Sequence, residues 1–278
     1  MRLGAPILDK TKDPQELAKA HVALGYRAAF CPFGLSTDET PYLHDLRRAF
    51  EEHDVALAEV IAWHNLMPQD AAMRAAAFES VCGQLAVADE LGACCCLTFG
   101  GSFENKKGWT PHPDNLSPAA FDRIVQTTRR IIDEVKPSRT KLALEMMPSV
   151  FPNSVDSYVA LIKAVDRPAF GVHLDPVNII ISPQQYFDST AVIRECFAKL
   201  GPWIASCHVK DLLWRVGRGY LLEEAIPGAG VIDIRTYLVE ASRLSPDLPL
   251  MLEHLDSAEE YKQSYDYVRS VQASLDRA

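Results

Sequence analysis

A single (β/α)8 barrel of the TIM type, an α/β fold, is what this sequence predicts, on three observations. Eight short apolar runs alternate with amphipathic stretches from one end of the chain to the other. Four of the later runs close on a side chain able to bind a metal, Glu145, Asp175, His208 and Glu253, at intervals of 30, 33 and 45 residues. A strand, a crossover helix and their loops take about that length of chain. Finally, no low-complexity linker or shift in composition divides the 278 residues, so residues 1–278 are expected to form one domain, as α/β barrels of this size do. A doubly wound open sheet would show a glycine-rich phosphate turn after its first strand, and none stands there.

The elements follow from local signals. Residues 2–8 read as the first strand, and Asp13-Pro14 opens a helix whose Leu17, Ala20, His21 and Leu24 recur at helical spacing until Gly25 stops it. A second strand at 28–31 ends at Pro32, Thr40-Pro41 opens a helix to about His53, and a third strand at 55–63 carries His64 at its end. The third helix, 69–91, is rich in alanine and stops at Gly92. Residues 94–98 form the fourth strand, and a long loop at 103–116 with Lys106, Lys107, Trp109 and His112 is expected to edge the pocket, since loops of that length in compact domains commonly bind or cover ligands. Ser117-Pro118 has the form of an N-cap with proline in the first turn of a helix to about Val135.

The second half repeats one design. Strand five ends at Glu145, with Asn153 or Ser154 capping the helix after it; strand six ends at Asp175, with Ser182-Pro183 opening the sixth helix. Strand seven reaches His208 and precedes a glycine- and charge-rich segment to Ile232. Helix seven runs to about Leu244, strand eight ends at Glu253, and Ser257 with Glu260 has capping-box spacing for the last helix.

Composition excludes several classes. With 48% hydrophobic and 23% charged residues the chain is that of an ordinary globular protein, and a net charge of −9 argues against nucleic acid or an anionic membrane as partner. The amino terminus lacks the apolar stretch of a signal peptide and no run of about 18 apolar residues is present, so a cytoplasmic location is expected. Seven cysteines, none in a C-x-x-C pair, suggest neither a disulfide framework nor a structural zinc module; Cys94-Cys95-Cys96 reads as buried thiols on a strand.

Barrel chemistry sits at the carboxyl ends of the strands, where Glu145, Asp175, His208 and Glu253 all fall. Taken singly, either acid could cap a helix and His208 could be a core histidine; four apolar runs in consecutive units each closing on a ligand-type residue favour one metal site. Three carboxylates and an imidazole suit Mn2+, Co2+ or Mg2+ better than Zn2+, and a single divalent ion, Mn2+ foremost, is expected. His173, two residues before Asp175, shares its face and is expected one layer below, donating to a ligand carboxylate. His254 has the opposite parity to Glu253 and is expected to face the helices. His21, His44 and His53 read as surface or packing residues.

In Leu144-Glu145, His173-Leu174-Asp175-Pro176-Val177-Asn178, Cys207-His208-Val209-Lys210-Asp211, Pro227-Gly228-Ala229-Gly230 with Asp233, and Leu252-Glu253, the second half of the chain resembles the xylose isomerase-like superfamily of barrels. That superfamily contains sugar isomerases, ketose 3-epimerases, inosose dehydratases and AP endonucleases; its members are often dimers or tetramers. The first half matches only in rhythm and in His64. The superfamily's AP endonucleases use three zinc ions held by extra histidines, but Thr98-Phe99-Gly100, Asn178 and the histidine-free stretch 212–226 stand where those would be. Ketose 3-epimerases usually carry histidine at the place of Asn178 and arginine at that of Trp214, so the departure points away from a typical free ketohexose as substrate.

The resemblance implies proton transfer next to a carbonyl of a keto sugar or related polyol. A bound divalent ion would polarise the carbonyl and stabilise an enediolate, with Glu145 and Glu253 as base and acid on opposite faces. His64, Asn178, Lys210, Asp211 and Arg215 are the candidate substrate contacts, with a salt bridge to a neighbouring acid as the other reading of Lys210. Trp63 and Trp109 could wall the sugar ring, although core packing suits Trp63. A metal-dependent lyase or dehydratase acting by β-elimination, or a non-catalytic sugar-binding barrel, are the alternatives.

Overall fold

Short runs of β-branched, aliphatic and small residues, alternating with helices most of which carry a side-chain cap, build the architecture. The computed structural model describes residues 1–7, 11–106, 108–217 and 219–275. Eight parallel strands close the barrel: β1 (Arg2–Gly4), β2 (Ala28–Phe30), β3 (Ala56–Ile61), β4 (Cys95–Thr98), β5 (Lys141–Glu145), β6 (Phe170–Leu174), β7 (Ile204–Val209) and, after an antiparallel hairpin of β8 (Asp211–Val216) and β9 (Tyr220–Ala225), β10 (Pro249–Leu252). Their order around the barrel is β1-β10-β7-β6-β5-β4-β3-β2, so the first and last strands pair, Arg2 opposite Pro249 and Leu3 opposite Leu250.

The helices among the described residues are α1 (Pro14–Ala23), α2 (Thr40–Glu52), α3 (Ala71–Leu91), α4 (Pro118–Val135), α5 (Val155–Val165), α6 (Pro183–Phe187), α7 (Ser189–Leu200), α8 (Ile234–Ser242) and α9 (Ala258–Leu275). Their starts are fixed by side chains that accept the otherwise unpaired first-turn N–H groups: Asp13, Asp70, Ser117, Ser154, Ser182, Asp188 and Asp233. Gly92 ends α3 in the left-handed conformation that glycine adopts without steric cost. Buried Leu46, Phe50, Leu85, Leu91, Ile131, Leu161 and Tyr237 fill the layer between helices and strands. His21 is in that layer, its Nδ1–H donating to Leu17 O at 2.9 Å, whereas His44 and His53 bond Glu90 and Gln15 nearer the surface.

Three expectations are corrected. The first strand is Arg2–Gly4, shorter than residues 2–8, of which Leu8 lies outside the described residues. The sixth helix is two, because Asp188 at φ −131 and ψ 53 leaves the helical region and caps α7 through Ala191 N–H. The charged segment after strand seven is the β8–β9 hairpin, paired from Asp211↔Ala225 to Val216↔Tyr220.

The barrel interior is lined by small residues and a few polar ones. Ala28, Ala58 and Met251 cluster there, as do Cys95, Leu97 and Ala143 with Ile61 and Ala205 against them. Two register shifts alter which side chains face in. Against β2 the pairing jumps from Ala29↔Leu57 to Phe30↔Glu59, and against β6 from Val172↔Ile204 to His173↔Ser206. Each leaves one extra residue, Ala58 on β3 and Ala205 on β7, the mark of a β-bulge. As a result Ala58 and Glu59 both turn inward, and so do Ala205 and Ser206.

Candidate metal centre

Four consecutive barrel strands, β5, β6, β7 and β10, supply the four expected ligand residues. Alternation from inward Ala143 puts Glu145 at the mouth of β5. Asp175, just past β6, spends Oδ1 on the Val177 N–H at 3.0 Å, which aims Oδ2 at the centre. His208 follows inward Ser206 by two residues, and Glu253 follows inward Met251 by two. The structure brings them together: one ligand atom from each of Glu145, Asp175, His208 and Glu253 lies within 4.8 Å of the others. His208 Nδ1 is 2.7 Å from Glu253 Oε1, 3.6 Å from Glu145 Oε1 and 3.8 Å from Asp175 Oδ2. Glu145, Asp175 and His208 are buried and Glu253 is nearly so.

Electrostatics and hydrogen bonding both mark this as a cation site. Burial raises the Glu145 carboxyl above its ordinary value against the pull of His208. Burial works against ionisation of Asp175 and Glu253 too, but Lys210 and His208 outweigh it, holding Asp175 down at about 2 and Glu253 well below the usual carboxylate range. Despite burial, His208 is held well above its ordinary value by Glu253 and Glu59. Asp175 Oδ2, His208 Nδ1 and Glu253 Oε1 are nevertheless buried without an aligned hydrogen bond. Buried polar atoms are rarely left so. Three carboxylates and one imidazole that converge, with the Lys210 ammonium beside them, form a mixed oxygen and nitrogen donor set that fits one hard or borderline divalent ion.

Lys210 belongs to the centre. Two residues beyond His208, it turns inward, and its Nζ lies 2.8 Å from Asp175 Oδ2, 2.5 Å from Glu253 Oε1 and 3.1 Å from Glu224 Oε1 on the hairpin. Of its two expected roles the geometry takes the ion pair. Asn178 also attends to the site itself, its Nδ2 donating to Glu145 Oε1 at 2.7 Å.

The other expected contacts fall elsewhere. Asp211 is buried, with Oδ1 accepting from the Leu212 and Ile232 N–H groups and Oδ2 from those of Gly228 and Gly230. It therefore clamps the Pro227-Gly228-Ala229-Gly230 turn, a correction to its reading as a substrate contact. The glycines are required there: Gly228 has φ +96, and a Cβ on Gly230 would run into Asp211 Oδ1 and Leu212 O. Arg215 lies out on the hairpin, 65% exposed and paired with Glu223 at 3.0 Å. His64 lines a cavity with Gly34, Leu35, Ser36, Ile61 and Gly83. Trp63 stacks on Phe99 at 5.1 Å and Trp109 meets that ring edge to face at 5.7 Å, a partly exposed aromatic row. The loop at 103–116 is knitted to the barrel through Asn65, whose Nδ2 donates to Ser102 O and Glu104 O, and Asn115, whose Nδ2 donates to Thr110 O and Ser149 O; its Lys107 lies outside the described residues.

Two histidines are corrected as well. His173 is inside the barrel but bonds no ligand carboxylate: its Nδ1 is 2.6 Å from Ser206 Oγ and 3.4 Å from Glu59 Oε1. His254 does not face the helices; at φ 57 it turns toward the mouth, with Nδ1 2.7 Å from Glu224 Oε2. Sequence reasoning missed Glu59 and Glu224. Glu59 carried a visible signal, a lone charge inside the apolar run Leu57-Ala58-Glu59-Val60-Ile61. Glu224 carried none, because its partners depend on a hairpin not foreseen.

Fold and centre together define a class: a closed parallel (β/α)8 barrel with a candidate mononuclear site of three acids and a histidine at the carboxyl ends of its strands. Residues 18–271 match the family model described as a xylose isomerase-like TIM barrel, and the chain belongs to that family. Among similar solved structures is a xylose isomerase-like TIM barrel protein from Mycobacterium smegmatis in complex with magnesium, with a TM-score of 0.69, 18% identity, and coverage of 98% of this chain and 97% of that one. Endonuclease IV from Thermus thermophilus has a TM-score of 0.71 at 18% identity, covering 100% of both chains. The apo 3-keto-D-glucoside 4-epimerase from E. coli has a TM-score of 0.68 at 12% identity, covering 97% and 99%. At these identities the likeness is one of fold. No curated protein matches the sequence.

Proposed function

We propose that this chain is a divalent-metal-dependent isomerase or epimerase that moves a proton next to the carbonyl of a keto sugar or related polyol. The observation that carries the reading is the convergence of one ligand atom from each of Glu145, Asp175, His208 and Glu253 within 4.8 Å, three of these residues keeping a buried atom without an aligned hydrogen bond. These four residues would hold the ion, Mn2+ foremost. When bound, it would draw electron density from a substrate carbonyl and so acidify the neighbouring C–H.

The protein's own groups divide the remaining tasks. Glu145 and Glu253 come from the two outer strands of the run β5-β6-β7-β10 and so approach from opposite sides. One takes the proton from carbon and the other returns a proton to the opposite face, which inverts that carbon. Asn178 holds Glu145 through Oε1, and Lys210 balances the charge of Asp175 and Glu253. The Trp63-Phe99-Trp109 row offers an apolar wall to a sugar ring, and His64 remains a polar group for substrate hydroxyls. The histidine-free trinuclear positions and the net charge of −9 turn the reading away from nucleic acid.

Metal analysis combined with solvent deuterium uptake into keto sugars tests it. Glu145→Gln and Glu253→Gln should each lower carbon-bound exchange by at least about 100-fold, the contribution of one general acid or base. Ordinary exchange in both variants, or full activity in metal-free protein, overturns the assignment. Loss of a β-substituent from the substrate would move it to a lyase, and ligand binding without exchange to a non-catalytic barrel.

A further inference from the structure

Beneath the ligand residues lies a polar column that the proposed chemistry does not use. Glu59, His173 and Ser206 are fully buried inside the barrel, with no solvent contact. Glu59 Oε2 lies 3.2 Å from His208 Nε2, and Glu59 Oε1 lies 3.4 Å from His173 Nδ1. His173 Nδ1 is 2.6 Å from Ser206 Oγ, which is 3.1 Å from Cys95 Sγ. The two imidazoles meet edge to face with centroids 4.0 Å apart.

A charge buried in an apolar barrel is costly unless paired, and two bulges arrange this pairing. Strict alternation would place Glu59 and its neighbour Ala58 on opposite faces; the extra residue on β3 turns both inward. The matching shift on β7 turns Ser206 inward under His173. Bulges beside sites commonly re-aim one side chain.

From this we infer that Glu59 is the positioning residue of the metal centre: its carboxylate accepts the hydrogen bond of His208 Nε2–H and so fixes the tautomer that leaves Nδ1 bare toward Glu145, Asp175 and Glu253. A carboxylate can only accept, so an Nε2 hydrogen-bonded to it carries the hydrogen. An imidazole has one nitrogen free of hydrogen when neutral, and that nitrogen is then Nδ1, the atom among the four converging ligands. Without Glu59, His208 would be free to place its proton on Nδ1 and donate it to Glu253 Oε1, 2.7 Å away, blocking the ligand. The carboxylate also lends electron density to the ring and sets its orientation, as outer partners of metal-bound histidines do. His173, propped by Ser206, fills the space beside the Glu59 carboxylate and keeps it aligned.

This inference rests on the reading of the four residues as metal ligands but not on any reaction. Its test measures Mn2+ binding by calorimetry in the whole chain, beside nitrogen NMR of His208 in protein stripped of metal and held at a pH alkaline enough to make the ring neutral. Glu59→Gln keeps an acceptor oxygen but loses the charge, and Glu59→Leu loses both. Mn2+ affinity should fall by about 10-fold in the first and toward 100-fold in the second, and the Nε2–H signal of His208 should give way to a tautomer mixture in Glu59→Leu. Cys96→Ala, a packing control facing away from the interior on β4, should lower stability without moving the affinity. Unchanged affinity and tautomer in folded Glu59 variants overturn the inference. So does binding of two ions per chain with one lost in Glu59→Gln, because Glu59 would then be a ligand. If sugar exchange fails while the Mn2+ and tautomer shifts hold, the proposed reaction falls and the positioning role stands.

Discussion

Asp211 uses both carboxylate oxygens on backbone, holding the N–H groups of Leu212, Gly228, Gly230 and Ile232 at 2.8–3.0 Å. An amide in its place could accept on one oxygen only and would point N–H donors at two others. Asp211→Asn is therefore expected to cost about 1.5–3 kcal/mol of stability, the range for hydrogen bonds to a charged group, read from the urea midpoint. The same substitution at a substrate contact would change affinity for sugar and leave the midpoint in place, so the two roles separate cleanly. Residue type at the mouth was legible in the sequence; its target was not. Asn178, Lys210 and Asp211 each carry groups that suit a sugar hydroxyl equally well. Only the placement of Glu145 beside Asn178, of two acids beside Lys210 and of the 228–230 turn over Asp211 decides what they hold.

At the scale of elements, the strand ends that present ligands are tied down by tyrosines on helices. The Tyr158 hydroxyl, from α5, lies 2.6 Å from Leu144 O and 3.0 Å from Gly171 O and accepts the Leu144 N–H at 3.1 Å. This fixes the residue before Glu145. Tyr237, from α8, donates to the carbonyl of His208 itself at 2.9 Å. Removing either hydroxyl strands buried backbone groups, so Tyr158→Phe and Tyr237→Phe should each lose about 1–3 kcal/mol in denaturant unfolding. Mn2+ affinity should weaken with it; affinity at the native level in both variants would show that the ligands hold their places without these ties. Alternation of apolar runs and helix caps made the eight units readable, and the ends of β5, β6, β7 and β10 with them. Bulges were not readable, since an extra Ala58 or Ala205 looks like any other small strand residue and shifts facing only through the pairing partner. The hairpin was hidden for a related reason: Leu212-Leu213-Trp214-Arg215 and Leu221-Leu222-Glu223-Glu224 lack strict alternation, and their stability comes from each other.

The centre also bears on the stability of the barrel as a whole. Its four residues sit on half of the barrel circumference, the run β5-β6-β7-β10, and β10 closes the ring by pairing with β1. One ion would thus cross-link strands spread over residues 145–253, a stretch that unfolding would separate. A ligand that binds only the folded state stabilises it by mass action, about 2.7 kcal/mol when present at 100 times its dissociation constant. For a chain of this size that corresponds to a rise in Tm of about 5 °C. Glu145→Gln should separate this effect from the intrinsic stability of the fold. Its carboxyl is raised by burial and is bonded by Asn178 through one oxygen, so an amide that keeps an acceptor there costs little in metal-free protein. The variant should unfold at or above the Tm of metal-free native chain in the presence of chelator, yet show little of the rise on adding Mn2+. Equal rises in variant and native chain would place the bound ion away from Glu145, because a ligand lost from a four-residue site cannot leave its linkage to folding unchanged.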